Sequence, residues 1–175
     1  MKKWKTISIY GFLFSYTLLG DFMKINLRAF LFSIFVSVFL GSVVGFLTAS
    51  SNNYMDLVSP SFAPPAIVFP IVWTILYILM GISSYLIFQS NDDKKNEALF
   101  VYGCQLIINL LWSFLFFSFR QYLLAFLWIL LLIGFVVVMI LKFYKINKTS
   151  AYLQIPYLVW LVFASILNLF VFFLN

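Results

Sequence analysis

The 175-residue chain is 65% hydrophobic and only 9% charged, with a formal net charge of +6. A soluble domain has about 45–50% apolar and about 25% charged residues, so this composition excludes a water-soluble fold. It indicates an all-α integral membrane protein, because a helix satisfies its backbone hydrogen bonds within its own segment. The expected architecture is a single bundle of five transmembrane helices.

The titratable side chains exclude several kinds of chemistry. The chain has no histidine and one cysteine, Cys104, so it lacks the commonest general base, metal ligand and haem ligand, and an internal disulfide is excluded. Its acidic residues lie at or beside predicted loops: Asp21, Asp56, Asp92, Asp93 and Glu97. Because no acid lies inside an apolar stretch, a carboxylate proton relay is disfavoured. We expect no metal site, no catalytic residue and no covalently bound cofactor, and an enzyme is the less favoured class.

Residues 1–22 form a hydrophobic extension that precedes the predicted membrane domain, residues 23–175. Its apolar part, residues 6–19, has 14 residues and is too short for a comfortable span, while Gly20-Asp21-Phe22 is a poor cleavage site for a signal peptide. Three alternatives stay open at this point: an interfacial helix, an uncleaved extension, or a start assigned upstream of the true Met23.

Five later stretches have the length and composition of membrane spans, which need about 20 mostly apolar residues. They are residues 29–49, 66–88, 98–119, 121–141 and 150–173. The longest connection, residues 50–65, contains three prolines, which prevent a continuous helix. The connection at Arg120 and Gln121 is so short that spans three and four should form a tight antiparallel hairpin.

The basic residues predict the orientation in the cell membrane. Seven of them share one side: Lys24, Arg28, Lys94, Lys95, Lys142, Lys145 and Lys148. Arg120 alone lies on the other. Because cytoplasmic loops are enriched in Lys and Arg, loops 89–97 and 142–149 should be cytoplasmic, with loop 50–65 and the C-terminus outside. Cations placed at span ends also argue against a nucleic-acid partner, since no basic module has room to fold.

A ridge of small residues runs along the first span. Gly41 and Gly45 form a Gly-x-x-x-Gly pattern, which Ser37 and Ala49 extend at the same spacing. Such a ridge permits close helix approach. It serves either packing within the bundle or a dimer face.

Aromatic and polar residues recur at four-residue spacing in three other spans. The stripes are Phe69, Trp73, Tyr77 and Gly81; Gln105, Asn109 and Ser113, with Trp112 alongside; and Pro156, Trp160, Ala164 and Asn168. Residues four apart share a helix face, and lipid-facing positions disfavour Asn and Gln, so these faces should turn inward. They either fill and cross-link the bundle or line a small-molecule pocket, and three stripes with a tryptophan each favour the pocket. Tyr122 and Trp128 are typical of membrane interfaces.

These motifs resemble the translocator protein family, also called tryptophan-rich sensory proteins or peripheral benzodiazepine receptors. The resemblance covers about residues 23–175. It rests on Ala63-Pro64-Pro65, on the run VFPIVWTILY over residues 68–77, on NLLWS over 109–113 with Phe116-Phe117, and on PYLVW over 156–160 with Phe163-Ala164 and Leu167-Asn168.

The resemblance implies a usually dimeric five-helix bundle whose pocket, closed by the first loop, binds porphyrins and other hydrophobic molecules such as lipids or sterols. The family's ligand-binding positions fall on Tyr54, Phe69, Trp73, Tyr77, Asn109, Trp112, Trp160 and Ala164. Two departures stand out. Ser59-Pro60-Ser61-Phe62 replaces the Lys-Pro-x-Trp of many members, and the Tyr and Arg that follow the fifth-helix Asn in cholesterol-binding members are absent.

Three functions follow as hypotheses. The leading one is a receptor or transporter-like protein that binds a tetrapyrrole. The alternatives are light-dependent degradation of porphyrin, which the resemblance would assign to Trp73 and Trp160, and a membrane signalling scaffold with incidental ligand binding. Arg120 either anchors the topology at the headgroups or meets a ligand carboxylate near the mouth of the pocket.

Overall fold

The computed structural model describes residues 26–49 and 57–175, so the extension at 1–22 lies outside the described residues. The helices are α1 (Leu27–Ala49), α2 (Val68–Phe88), α3 (Lys95–Ser113), α4 (Tyr122–Ile146), α5 (Lys148–Tyr152) and α6 (Ile155–Leu174), with a π-helical turn at Phe114–Ser118 after α3. No strand occurs in either described range.

Five helical segments of 21 to 27 residues are long and apolar enough to cross a membrane. The third combines α3 with the π-helical turn, and the fifth combines α5 with α6. The all-helical membrane fold with five spans is therefore confirmed. The structure adds two features that the hydropathy pattern did not predict, the π-helical turn and a break between α5 and α6. The break is the larger interruption. It lies next to Pro156, at the start of α6, where the missing N–H interrupts the helix ladder.

Helices that follow one another in the chain pack side by side. Helix α1 packs on α2, α3 on α4, and α4 also contacts α6, so α4 lies between α3 and α6. Its inner face is fully buried, with Leu132, Val136 and Met139 each at 0% exposure. Trp128 connects α4 to α3 and is not simply an interface anchor, because its Nε1 donates a hydrogen bond of 2.9 Å to the Ile108 carbonyl of α3.

Helices α1 and α2 approach closely because glycines lie where they cross. A Cβ added at Gly81 would lie 2.5 Å from the Ile34 Cα, and one added at Gly41 would overlap the Tyr77 ring. Ser37, on the same ridge as Gly41, forms a 2.7 Å hydrogen bond with the Tyr102 hydroxyl. These residues of the ridge face the bundle, in agreement with the packing alternative; a dimer face stays a prediction.

The two ends of the bundle differ in charge. One end, here called the lysine end, carries Arg28, Lys94, Lys95, Lys142, Lys145 and Lys148. The opposite end, here called the cavity end, carries Arg120 as its only cation among the described residues. The start of α1 lies at the lysine end because the Asn26 N–H donates to the Tyr85 hydroxyl near the end of α2. That the lysine end faces the cytoplasm remains a prediction from the Lys and Arg distribution.

Candidate functional site

A cavity of about 480 Å³ lies between four of the five spans, towards the cavity end. Its walls come from α1, α2, α6 and the end of α3 with its π-helical turn, while α4 contributes none of the lining side chains. The volume is within the usual range of about 300–1,000 Å³ for small-molecule sites, which are mostly apolar with a few polar groups.

Helix α2 contributes an aromatic wall. Phe69, Trp73 and Tyr77 are spaced by four residues and all line the cavity, because residues at that spacing lie above one another on one helix face. The Trp73 and Tyr77 rings stack with their centroids 5.7 Å apart. Phe69 meets Trp160 of α6 edge to face at 5.9 Å. One ring pair within α2 and one between α2 and α6 thus line this side of the cavity.

Helix α6 forms the facing wall with Trp160, Ala164, Leu167 and Asn168. Ala164 follows Trp160 by one turn, and its small side chain leaves space in front of the helix. The Trp160 Nε1 is buried without a hydrogen-bond partner in the protein. An indole N–H is a donor only, so α6 carries one unsatisfied buried donor at this level.

The third wall comes from the end of α3 and the π-helical turn, where Trp112, Ser113, Phe116 and Phe117 line the cavity. Trp112 stacks on Phe116 with centroids 5.2 Å apart. The π-helical turn changes the angle between successive side chains, and the adjacent residues Phe116 and Phe117 both reach the cavity.

Asn168 connects this wall to its neighbours and is itself 1% exposed. Its Oδ1 accepts a 3.3 Å hydrogen bond from the Trp112 Nε1, and its Nδ2 donates a 2.9 Å hydrogen bond to the Tyr122 carbonyl. One amide side chain therefore joins the ends of α3 and α6 to the start of α4. Trp112 is held in place by a bond that leaves its indole N–H unavailable to a ligand.

Sequence reasoning missed the wall that α1 provides. Val38, Gly41, Ser42, Gly45 and Thr48 line the cavity. Gly45 has open space in front of it, since an added Cβ would meet nothing within 4 Å. The signal that could have located this wall is the same ridge of small residues, which makes room for a ligand as readily as for a second helix.

The structure brings together six of the predicted ligand-binding residues: Phe69, Trp73, Tyr77, Trp112, Trp160 and Ala164 all line the cavity. Asn109 does not line it; its buried side chain lies beside the Tyr77 hydroxyl, beneath the cavity. Tyr54 lies outside the described residues. Arg120 is exposed at the cavity end and is not part of the lining.

The cavity end is covered in part by residues 57–67. The Val58 N–H donates to the Asn175 Oδ1 at 3.1 Å, and the Asn175 Nδ2 donates back to the Val58 carbonyl at 3.0 Å. Phe62 packs edge to face on Phe170 of α6, with centroids 5.2 Å apart. This ring contact fixes the segment 57–67 against the end of α6.

The lining residues are all uncharged within the described ranges, and they combine aromatic rings with hydroxyl and amide groups. Stacking and edge-to-face contacts between such rings are favourable at centroid separations of about 4.5–7 Å. This arrangement can hold a flat, largely apolar molecule and orient it by a small number of hydrogen bonds. Among the described residues that line the cavity, none is a cation that could bind an acid group there.

Comparison with known proteins places this arrangement in a family. Residues 32–174 match the model of the TspO/MBR family. The tryptophan-rich protein TspO of Chlorobaculum tepidum is 40% identical over 128 residues, 72% of this chain and 81% of that protein. A protein of the same name from Archaeoglobus fulgidus is 35% identical over 155 residues, 86% of this chain and 99% of the relative. The human translocator protein is 36% identical over 118 residues, which cover 66% and 70% of the two chains. This chain belongs to the TspO/MBR family of membrane proteins.

Proposed function

We propose that this protein binds a tetrapyrrole, or a hydrophobic molecule of similar shape, in the aromatic cavity and acts as a membrane receptor or transporter for it. The observation that carries the proposal is the set of rings from three helices around a space of about 480 Å³. A porphyrin is a flat apolar macrocycle, and Trp and Tyr rings stack on such a surface.

The uncharged lining constrains how such a ligand would lie. Burying an ionised carboxylate without a partner is costly, so the acid groups of a porphyrin would remain at the mouth of the cavity. The macrocycle would then point inwards, between Trp73 and the Trp160 wall. Arg120 is the cation at this end of the bundle among the described residues, and it is exposed to meet such a group.

The first prediction concerns the space in front of Ala164. Ala164→Leu should weaken porphyrin binding at least tenfold while lowering stability by only about 1–3 kcal/mol, the usual cost of overpacking, because the added atoms project into the cavity. Binding is measured by fluorescence quenching and stability by thermal unfolding in the same detergent. Ala125→Leu is the matched control: Ala125 is 0% exposed on α4, away from the cavity, so it should lose stability and keep its affinity. Equal affinity in the wild type and Ala164→Leu would contradict the proposal.

A second prediction follows from the absence of histidine in the chain. Iron in haem needs an axial ligand, and His is the usual protein donor. Free-base protoporphyrin should therefore bind at least as tightly as haem, since binding relies on the ring face and not on the metal. Parallel titrations with both compounds test this. A strong preference for haem, with a six-coordinate spectrum lost in a single variant, would contradict it.

The third prediction concerns the ligand's acid groups. Arg120→Gln should reduce affinity for a dicarboxylate porphyrin and leave affinity for its dimethyl ester unchanged, because only the acid can pair with the guanidinium. Lys142→Gln, which removes a cation at the lysine end, is the control and should affect neither ligand. Equal effects of Arg120→Gln on acid and ester would assign Arg120 to membrane anchoring.

A further inference from the structure

Three amide side chains are buried beneath the cavity, on the lysine-end side of it. Gln105 and Asn109 belong to α3, and Gln154 lies at the break between α5 and α6. Their exposures are 0%, 2% and 0%. Four of their polar atoms have no hydrogen-bond partner in the protein: Gln105 Nε2, Asn109 Nδ2, and both Nε2 and Oε1 of Gln154. None of the three residues lines the cavity.

Their order along the helices forms a column, here called the amide column. Asn109 and Gln105 are one turn apart, about 6 Å along α3. The Tyr157 hydroxyl donates to the Gln105 Oε1 at 3.1 Å, which joins α3 to α6. Gln154 precedes Tyr157 by three residues and so lies on the same side of the span, nearer the lysine end. The column therefore runs from beneath the cavity towards the lysine end.

The lower end of the amide column is also polar. Ser150 lies one turn before Gln154, and it exchanges hydrogen bonds with Ser83 of α2: each hydroxyl donates to the other residue's carbonyl at 2.8 Å. Both serines are fully buried. Polar groups thus occur at successive levels of the lysine-end half of the bundle, where most other buried side chains are hydrocarbon.

The break in the fifth span lies at the same level. Helix α5 ends at Tyr152 and α6 begins at Ile155, with Pro156 as a residue that has no N–H. Within a membrane, freed backbone groups and buried amides are tolerated where neighbouring side chains or ordered water provide hydrogen bonds. Gln154 needs both a donor and an acceptor, because its two terminal atoms have opposite character. A water molecule supplies both and is small enough for a packed interior.

We propose that ordered water molecules bind in the amide column, held by Gln105, Asn109 and Gln154, as a polar site separate from the aromatic cavity. The water supplies the hydrogen bonds that these amides lack.

Radiolytic footprinting of the full chain in lipid nanodiscs tests this proposal. X-ray pulses split water molecules, including bound ones, into hydroxyl radicals. In ¹⁸O-labelled water these radicals transfer the label to adjacent side chains, even to buried ones. Tyr157, at 0% exposure, should acquire the label. Met139, also at 0% exposure but in the hydrocarbon core of α4, is the internal control and should not.

The variant Gln154→Leu replaces the amide by an apolar group of similar size. It should reduce the labelling of Tyr157 to the level of Met139, whereas Gln121→Leu, at an exposed glutamine, should leave it unchanged. A Tyr157 as unlabelled as Met139 in the wild type would overturn the proposal without any variant. Labelling that persists in Gln154→Leu would overturn it as well, because it would come from another source such as the cavity. If the column held no water, Gln154→Leu would remove two unsatisfied polar atoms and should raise the Tm.

Discussion

Gly81→Ala should destabilise the protein by about 3 kcal/mol or more. The added Cβ would lie 2.5 Å from the Ile34 Cα and 2.9 Å from its nitrogen. Because these are backbone atoms, no side-chain rotation relieves the contact, and α1 must move away from α2. Overpacking that side chains can absorb costs about 1–3 kcal/mol, so a backbone contact should reach or exceed the upper value. Thermal and denaturant unfolding in detergent measure the change.

Gly134→Ala provides the matched control for this prediction. Gly134 lies inside α4, and a Cβ there would meet nothing within 4 Å. Alanine is favoured over glycine by about 1 kcal/mol in a helix interior, so this variant should keep or gain stability. If both variants unfold at the wild-type temperature, the close approach of α1 and α2 at Gly81 would be contradicted.

Asn168→Leu should cost about 1–3 kcal/mol, because the substitution leaves the buried Trp112 indole N–H without its partner. Asn168 accepts from that N–H at 3.3 Å and also donates to the Tyr122 carbonyl at 2.9 Å, a second hydrogen bond that is lost. An unsatisfied buried polar group costs about 1–3 kcal/mol. Asn96→Leu, at an exposed position in the first turn of α3, is the control and should change stability little.

A double-mutant cycle with Trp112→Phe separates this network from simple loss of packing. Trp112→Phe removes the donor of this hydrogen bond. The losses of unfolding free energy in the two single variants should therefore add to more than the loss in the double variant. The expected coupling is about 1 kcal/mol, within the range found for residues in contact. Strict additivity would show that the Trp112 hydrogen bond contributes nothing to stability.

The spans were predictable because a hydrocarbon layer imposes a length and an apolar composition on every crossing helix. The predicted span 66–88 corresponds to the observed span Val68–Phe88, and the predicted span 150–173 corresponds to Lys148–Leu174. Hydropathy averages over many residues, so it could not resolve the break beside Pro156 or the π-helical turn at Phe114–Ser118. Both depend on the backbone hydrogen-bond pattern of a few residues.

The lining of the cavity was predictable only as far as the four-residue spacing holds. At 3.6 residues per turn, each step of four turns the side chain by about 40°, so a long stripe leaves the face on which it began. In α2, Gly81 lies against Ile34 of α1 and not in the cavity. In α3, Gln105 is two turns from Ser113, about 12 Å along the axis, and so lies below the cavity that Ser113 lines. Which residues share a face follows from the sequence; where that face meets its neighbours does not.

Helix α6 both lines the cavity and holds the segment 57–67, so it connects the two mechanically. Near its middle, Trp160 and Ala164 form part of the cavity wall, and Asn175, just beyond its last residue, holds Val58 of the covering segment by two hydrogen bonds. A helix of 20 residues is about 30 Å long and moves largely as a rigid body. A ligand that displaces the Trp160 side of this rod would tilt its far end and carry Val58 with it. The position of Val58 would thereby depend on whether the cavity is filled.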